Sequence, residues 1–395
     1  MPHPISPATP ATASGPAIII LALAAFVIVS TEFLIVGLIP ALARDFGVSV
    51  PQAGQLVALF AFTVMLAGPP LTAALAHVER KRLFVAILLV FAGANALAAL
   101  APNLWVLALA RFIPALALPV FWGTASEAAA RMAGPLRAGQ AVSRVYLGIS
   151  AALLFGIPIG TLAAAAIGWR ASFWGLAALS LLLAALMARH MPALSQSART
   201  PLRDQARILK DPLLLAHIGL SVAVFTAMFT AYTYLADILE RLAGVAPAQV
   251  GWWLMGFGAV GLIGNALGGK AVDRHPLRAT LAFTLLLGLG TLASMPLAAS
   301  LGGLLPALAA WSIANTALYP ICQVRVMQAA PQAQALAGTL NVSAANAGIA
   351  LGAALGGLAI PRWGLDSVGY AAAAVALLAA LMIAPIARLR PARPA

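Results

Sequence analysis

Charge is scarce in this chain. Of 395 residues only 8% are Asp, Glu, Lys or Arg, and only ten are acidic. A soluble domain carries about 25% charged residues, and even a large globule keeps much of its chain at the surface, so water cannot be the solvent for most of the length. A single cysteine, Cys322, excludes an intramolecular disulfide and any multi-cysteine metal site. It reads as a small apolar filler. The first 16 residues contain no Lys or Arg, whereas a secretory signal needs a positive segment ahead of its apolar core. Residues 1–16, rich in Pro, Ala and Ser, are therefore expected to form a disordered cytoplasmic tail before a retained first helix. His-Glu-x-x-His, Gly-x-Ser-x-Gly and a Walker loop are missing, as is an acidic metal cluster. The segments between apolar runs are too short for a catalytic domain. An intramembrane enzyme is disfavoured, and no cofactor or metal is expected.

What the chain does have is long apolar runs, with 63% of its residues hydrophobic. Crossing about 30 Å of hydrocarbon at 1.5 Å per residue takes about 20 residues. Twelve such runs lie near 17–40, 52–75, 83–101, 104–128, 140–166, 171–189, 212–238, 249–270, 279–299, 303–324, 335–360 and 366–387. They must be helices, because lipid cannot satisfy free backbone groups. A net charge of +13 would suit a nucleic-acid binder only if the basic residues formed a stripe, and they gather instead in short segments between the runs. With both termini in the cytoplasm, eighteen basic residues lie on the cytoplasmic side and four (Arg44, Arg170, Arg241 and Arg362) on the other, while Arg111 falls inside a helix. The positive-inside rule selects that orientation. The expected place is the cell inner membrane, with lipid as surroundings and no nucleic-acid partner.

The chain divides into two halves that resemble each other. Residues 17–189 form the first six-helix bundle, 190–211 a cytoplasmic linker, 212–387 the second bundle and 388–395 a cytoplasmic tail. A shift of 196 places Gly68 on Gly264, Arg82 on Arg278, Pro135 on Pro331, Gly156 on Gly352 and Gly160 on Gly356. A shift of 197 places Gln52 on Gln249 and Gly54 on Gly251, as one inserted residue would. Two parallel six-helix repeats imply two facing bundles with a substrate site between them near the midplane.

Two loops carry family signatures. GGKAVDRHPLR (268–278) resembles the loop motif between helices two and three of the major facilitator superfamily, here in the second repeat. AHVERKRL (76–83) is its counterpart in the first, with His77 in the acid position. The resemblance implies the major facilitator fold, and a charge latch on the cytoplasmic face built on Asp273, Arg274 and Arg278. TEFLIVGLIP (31–40), Arg111 in RFIPALA, GIPIG (156–160) and GWRASF (168–173) resemble the drug:proton antiporter-1 family. Within that family VERKRL, FWGTAS, TAYTYL and QVRVMQAAP resemble bacterial sugar-efflux transporters of the SotB type. Family members read Gly-Pro where this chain has Ile157-Pro158. The resemblance implies a proton-coupled exporter of a sugar or other small polar molecule, with multidrug, antibiotic or nucleoside efflux as the alternative and a channel as the rival of another class. A monomer is expected.

Few polar residues remain to carry chemistry. Glu32, Glu127 and Asp237 are the acids within the runs, where an ionisable group costs about 3 kcal/mol and is functional by default. Glu127 has Arg131 four residues on, and Asp237 has Arg241, so both can form local pairs. Glu32 has no such neighbour, and neither does Arg111. Glu32 is 8 residues from Pro40 and Arg111 is 7 from Leu104, so both lie about 10–12 Å below the same membrane face. In the resembled fold their helices are neighbours, which makes the two residues partners in proton coupling, or a fixed structural ion pair. Asp237 is the second coupling candidate.

Helix seven presents Thr226, Thr230, Thr233 and Asp237 on one face with Tyr234 beside it, and helix ten presents Trp311, Asn315, Tyr319 and Gln323 at i+4 steps. With Trp122 these suit a sugar or an aromatic polar ligand, although helix–helix hydrogen bonding would use the same stripes. Trp169, Trp252 and Trp253 read as interfacial belt residues. Gly148, Gly156 and Gly160, and Gly348, Gly352 and Gly356, form small faces for close helix approach. Pro158 adds a kink, and motion between the bundles is expected to pivot on these surfaces.

Overall fold

Backbone in hydrocarbon has no water to bond to, and this chain closes its long apolar runs into helices. The computed structural model describes residues 14–75, 77–133, 138–192, 194, 211–331 and 334–389. Among them twelve spans are long and apolar enough to cross a membrane, and there is no strand. The first half holds α1 (Ser14–Phe46), α2 (Val50–Ala74), α3 (Arg80–Ala99), α4 (Leu104–Ala133), α5 (Ala138–Ala151), α6 (Ile157–Ile167) and α7 (Trp169–His190). The second holds α8 (Pro212–Tyr232), α9 (Leu235–Arg241), α10 (Pro247–Arg274), α11 (Pro276–Ser294), α12 (Leu301–Ala329), α13 (Gln334–Trp363) and α14 (Ser367–Ile386).

Two spans are broken helices. In the fifth span a π-turn, Ala152–Gly156, joins α5 to α6. Pro158 has no N–H to give to the preceding turn, and the wider π-turn takes up the mismatch. In the seventh, the hydroxyls of Thr230 and Thr233 donate to the Thr226 and Phe229 carbonyls at 2.7 and 2.6 Å. Such back-bonding bends helices, and α8 stops at Tyr232 before α9 restarts at Leu235.

The packing repeats. In the first half α1 runs along α5 and α6, α2 along α4, and α3 along α7; in the second α8 runs along α13, α10 along α12, and α11 along α14. The halves meet where α2 lies on α13 and α6 on α10, two contacts that interchange when the halves are exchanged. Turn chemistry repeats as well. Gly47 and Gly244 follow α1 and α9, and Gly168 and Gly364 precede α7 and α14, all with φ between 62° and 92°. Only Gly adopts this left-handed backbone without strain. These four glycines lie at the end of the bundle opposite the one where α1 begins, called here the far end. The tight contact of α6 with α10 also lies toward the far end.

The side chains of the expected latch residues Asp273 and Arg274 lie outside the described residues, as do most of the linker and residues 1–13 and 390–395 of the tails. Arg278 is exposed. In the first repeat Glu79 has a local task as the N-cap of α3. Its carboxylate accepts from the Lys81 and Arg82 N–H groups, both at 3.0 Å. Burial pushes its pKa up, but the backbone hydrogen bonds and the Arg82 charge outweigh this and hold it below the usual carboxylate value. Glu79→Ala is expected to lower unfolding free energy by about 1 kcal/mol. A folded pKa below the unfolded one gives stability that is present above the unfolded value and lost as pH falls through the folded one. Wild type and variant should therefore differ in melting temperature at neutral pH and converge in acid. Equal melting at neutral pH would refute the cap's contribution.

Candidate functional site

The candidate site has two parts, Arg111 of α4 docked on the Glu32 turn of α1, and a cavity lined by the fifth span with α8, α10 and α12. Arg111 on α4 is fully buried, but contrary to the expectation from matched depths it makes no ion pair with the Glu32 carboxylate. Its Nη1 donates to the Thr31 carbonyl and its Nη2 to the Glu32 carbonyl at 2.6 Å. Its guanidinium stands 4.4 Å over the Phe60 ring. A planar fork matches two successive helix carbonyls better than a point charge would. Asn95 holds the same turn by donating to the Thr31 hydroxyl at 3.0 Å. The expected ion pair is therefore replaced by a cation docked on the backbone of the turn that carries the acid. The two residues do lie at one depth, although α1 does not end at Pro40 but continues to Phe46, so Glu32 is about 21 Å from the end of its helix instead of about 12 Å. No cation of the described residues stands within ion-pairing distance of the Glu32 carboxylate, which is half-buried and belongs to none of the pairs Arg44–Glu240, Asp45–Arg170 and Asp237–Arg241.

Opposite it, α12 supplies Asn315 and Tyr319. Asn315 is buried, and its Oδ1 has no hydrogen-bond partner among the described residues. A buried acceptor left unpaired is costly, and a ligand donor would relieve it. The Tyr319 ring packs edge-on against Phe225 at 5.2 Å. Both residues line a cavity shared with Leu153 and Ile157 of the fifth span, Tyr232 of α8, and Leu254 and Phe257 of α10. The cavity measures about 20 Å³, room for about one water. Thr316 also lines it, but its hydroxyl is used, donating to the Gly261 carbonyl at 2.5 Å.

The other residues singled out in the sequence stand elsewhere. Thr230 and Thr233 are fully buried with their hydroxyls on their own helix, and Tyr234 donates to the Ala353 carbonyl at 2.8 Å between α8 and α13. Gln323 accepts from Asn341 Nδ2 at 2.7 Å, linking α12 to α13. Trp122 is half-buried, its ring edge-on to Phe121 at 5.3 Å. Asp237 is buried and takes the local pair with Arg241 at 3.3 Å. A Cβ on Gly156 would meet Ser30 of α1, and one on Gly160 would meet Leu34. Pro158 lies beside α10, where its carbonyl would stand 2.9 Å from a Cβ on Gly251. Tyr232 and Phe257 had no sequence signal beyond being aromatic, because a ring on an apolar helix faces lipid, protein or cavity with the same letter.

The model of the Major Facilitator Superfamily matches the chain twice, over residues 21–242 and 238–395. The inner membrane transport protein YdhP of Escherichia coli O157:H7 is 35% identical over 372 residues, which cover 94% of this chain and 96% of YdhP. YtbD of Bacillus subtilis (strain 168), an MFS-type transporter, is 32% identical over 357 residues, 89% of this chain and 90% of its own. A bacterial homolog of the human lysosomal transporter Spinster, solved inward-facing and unoccupied, matches with a TM-score of 0.78 at 16% identity, over 97% of this chain and 98% of that one. That last likeness is one of fold.

Proposed function

Because the chain belongs to the major facilitator superfamily, we propose that it is a proton-coupled antiporter of the inner membrane that exports a small organic molecule. The observation that carries this reading is Glu32, a half-buried intramembrane carboxylate without an ion-pair partner among the described residues, on a helix turn held by the buried Arg111 cation. The cation favours the ionised acid, and loss of water on closure favours the neutral one. Proton and substrate can then compete for one carboxylate, which is the requirement for exchange. An ion pair locked within hydrogen-bond distance would lack that freedom.

With both termini in the cytoplasm, the far end faces outward, and the close α6–α10 contact lies on that side. In a Cys322→Ala background, cysteines at Arg388 and Gly302 are expected to label from opposite sides of intact cells, Gly302→Cys from outside. Outside labelling of both would overturn the orientation.

A sugar is the substrate class that the SotB-type resemblance supports. The alternative, an antibiotic or nucleoside with an aromatic face, is supported by the rings of Tyr232, Phe257 and Tyr319 at the cavity. Both classes can donate to Asn315 Oδ1. A pH dye inside proteoliposomes tests the function: sugars, nucleosides and cationic drugs are added in turn, and substrate-triggered proton flux is read. Flux with none of them would refute exchange of these classes.

A further inference from the structure

The seventh span crosses the first at two points, and both join repeat-equivalent residues. Phe33 and Phe229 pack ring to ring at 5.8 Å, and Arg44 donates to Glu240 at 2.6 Å. Each pair is separated by 196 residues, the offset that relates these two helices, the one residue inserted in the second repeat lying beyond them in the turn before Gly244. Parallel repeats are related by an axis along the membrane normal, and residues beside such an axis meet their own equivalents. The two contacts therefore mark that axis, about 16 Å apart along α1, with the charged one at the far end.

Like would meet like on such an axis, which suits two phenylalanines and repels two charges. Here the sequence is inverted between the repeats: Arg44-Asp45 in the first stands where Glu240-Arg241 stands in the second. The inner members of these dipeptides are satisfied within their own halves. Asp45 accepts from Arg170 at 2.8 Å and from the Trp169 indole at 3.1 Å, and Arg241 reaches Asp237 at 3.3 Å. Arg44 and Glu240 are left for each other across the axis. We propose that the Arg44–Glu240 pair is an inter-bundle ionic latch that holds the far end closed and must separate whenever the transporter opens on that side.

The pair is suited to a reversible latch. Arg44 is 56% exposed and Glu240 13%, so water can replace each partner on opening, and the pair biases the equilibrium by a few-fold instead of fixing it. It is independent of Glu32, so it stands or falls apart from proton coupling.

The test uses the full chain in lipid nanodiscs with Cys322→Ala, spin-labelled at Pro102→Cys and Gly302→Cys. These exposed positions lie at the far end of opposite halves, and their distance reports opening. Glu240→Gln and Arg44→Gln are each expected to raise the long-distance population about threefold. Arg44→Glu, which sets two acids face to face, should raise it further. Arg44→Glu combined with Glu240→Arg should restore the short distance. High salt should open the wild type and leave Glu240→Gln unchanged. Unaltered populations in both neutral variants, or a charge reversal that fails to recover closure, would overturn the latch.

Discussion

Glu32→Gln is expected to bind substrate and to lose proton-driven accumulation, at least tenfold below wild type in proteoliposomes with an imposed pH gradient. The amide keeps the size and hydrogen bonding of the acid but has no proton to exchange. Removing the titrating group also removes the pH dependence of substrate binding, so affinity in the variant should be flat where that of the wild type varies. Since no ion pair is broken by the change, folding and expression should remain normal, which separates coupling from stability. Wild-type accumulation by Glu32→Gln would exclude it as the coupling site. Asp237, buried and paired with Arg241, would then be the acid to change next.

Gly352→Ala is expected to destabilise the protein by about 3 kcal/mol, and Gly352→Leu to prevent folded protein from accumulating. The reason is what the added carbon would touch. A Cβ on Gly352 would stand 2.6 Å from the Thr226 carbonyl oxygen and 2.9 Å from the Thr230 nitrogen, both backbone atoms of α8. Neither can rotate away, so α13 must lift from α8 and the overpacking cost falls at the top of its range. Gly256→Ala provides the control, because a Cβ there meets nothing within 4 Å and Ala is about 1 kcal/mol the better helix former. Gly156 lies between these cases, since its Cβ would meet chiefly the Ser30 side chain. Thermal unfolding in detergent that fails to rank the three variants in this order would show that α13 tolerates displacement.

The architecture was legible because the bilayer imposes a length and a hydropathy on every span, and because residues such as Gly156 and Gly352 repeat at a near-constant offset. Boundaries were less legible. Pro40 reads as a helix end, yet α1 continues six residues beyond it, since a proline in a packed membrane helix can be accommodated by its neighbours. The polar stripe of helix seven illustrates a second limit. Periodicity places Thr230 and Thr233 on one face, but it cannot tell a face turned to a cavity from one laid on the glycines of α13. Asn315 and Tyr319 share their helix with Gln323, and only tertiary packing separates the first two, at the cavity, from the third, bonded to Asn341. Arg111 was identified as a residue needing a partner. That the partner would be the main chain of the Glu32 turn depends on how α4 approaches α1, which no local pattern encodes.

The inverted charges at positions 44 and 240 also bear on which assemblies a six-helix unit can form. A bundle built from the first repeat alone, closing on a second copy of itself about the same axis, would set Arg44 against Arg44, and one built from the second would set Glu240 against Glu240. The Phe33–Phe229 contact would survive in either case, but the charged contact would turn from attraction to repulsion. Fusion into one chain removes the demand that a surface complement itself, and the two halves were then free to diverge into unlike partners. Each half thus carries a mark of the other and a bias against its own copy, written in two adjacent residues.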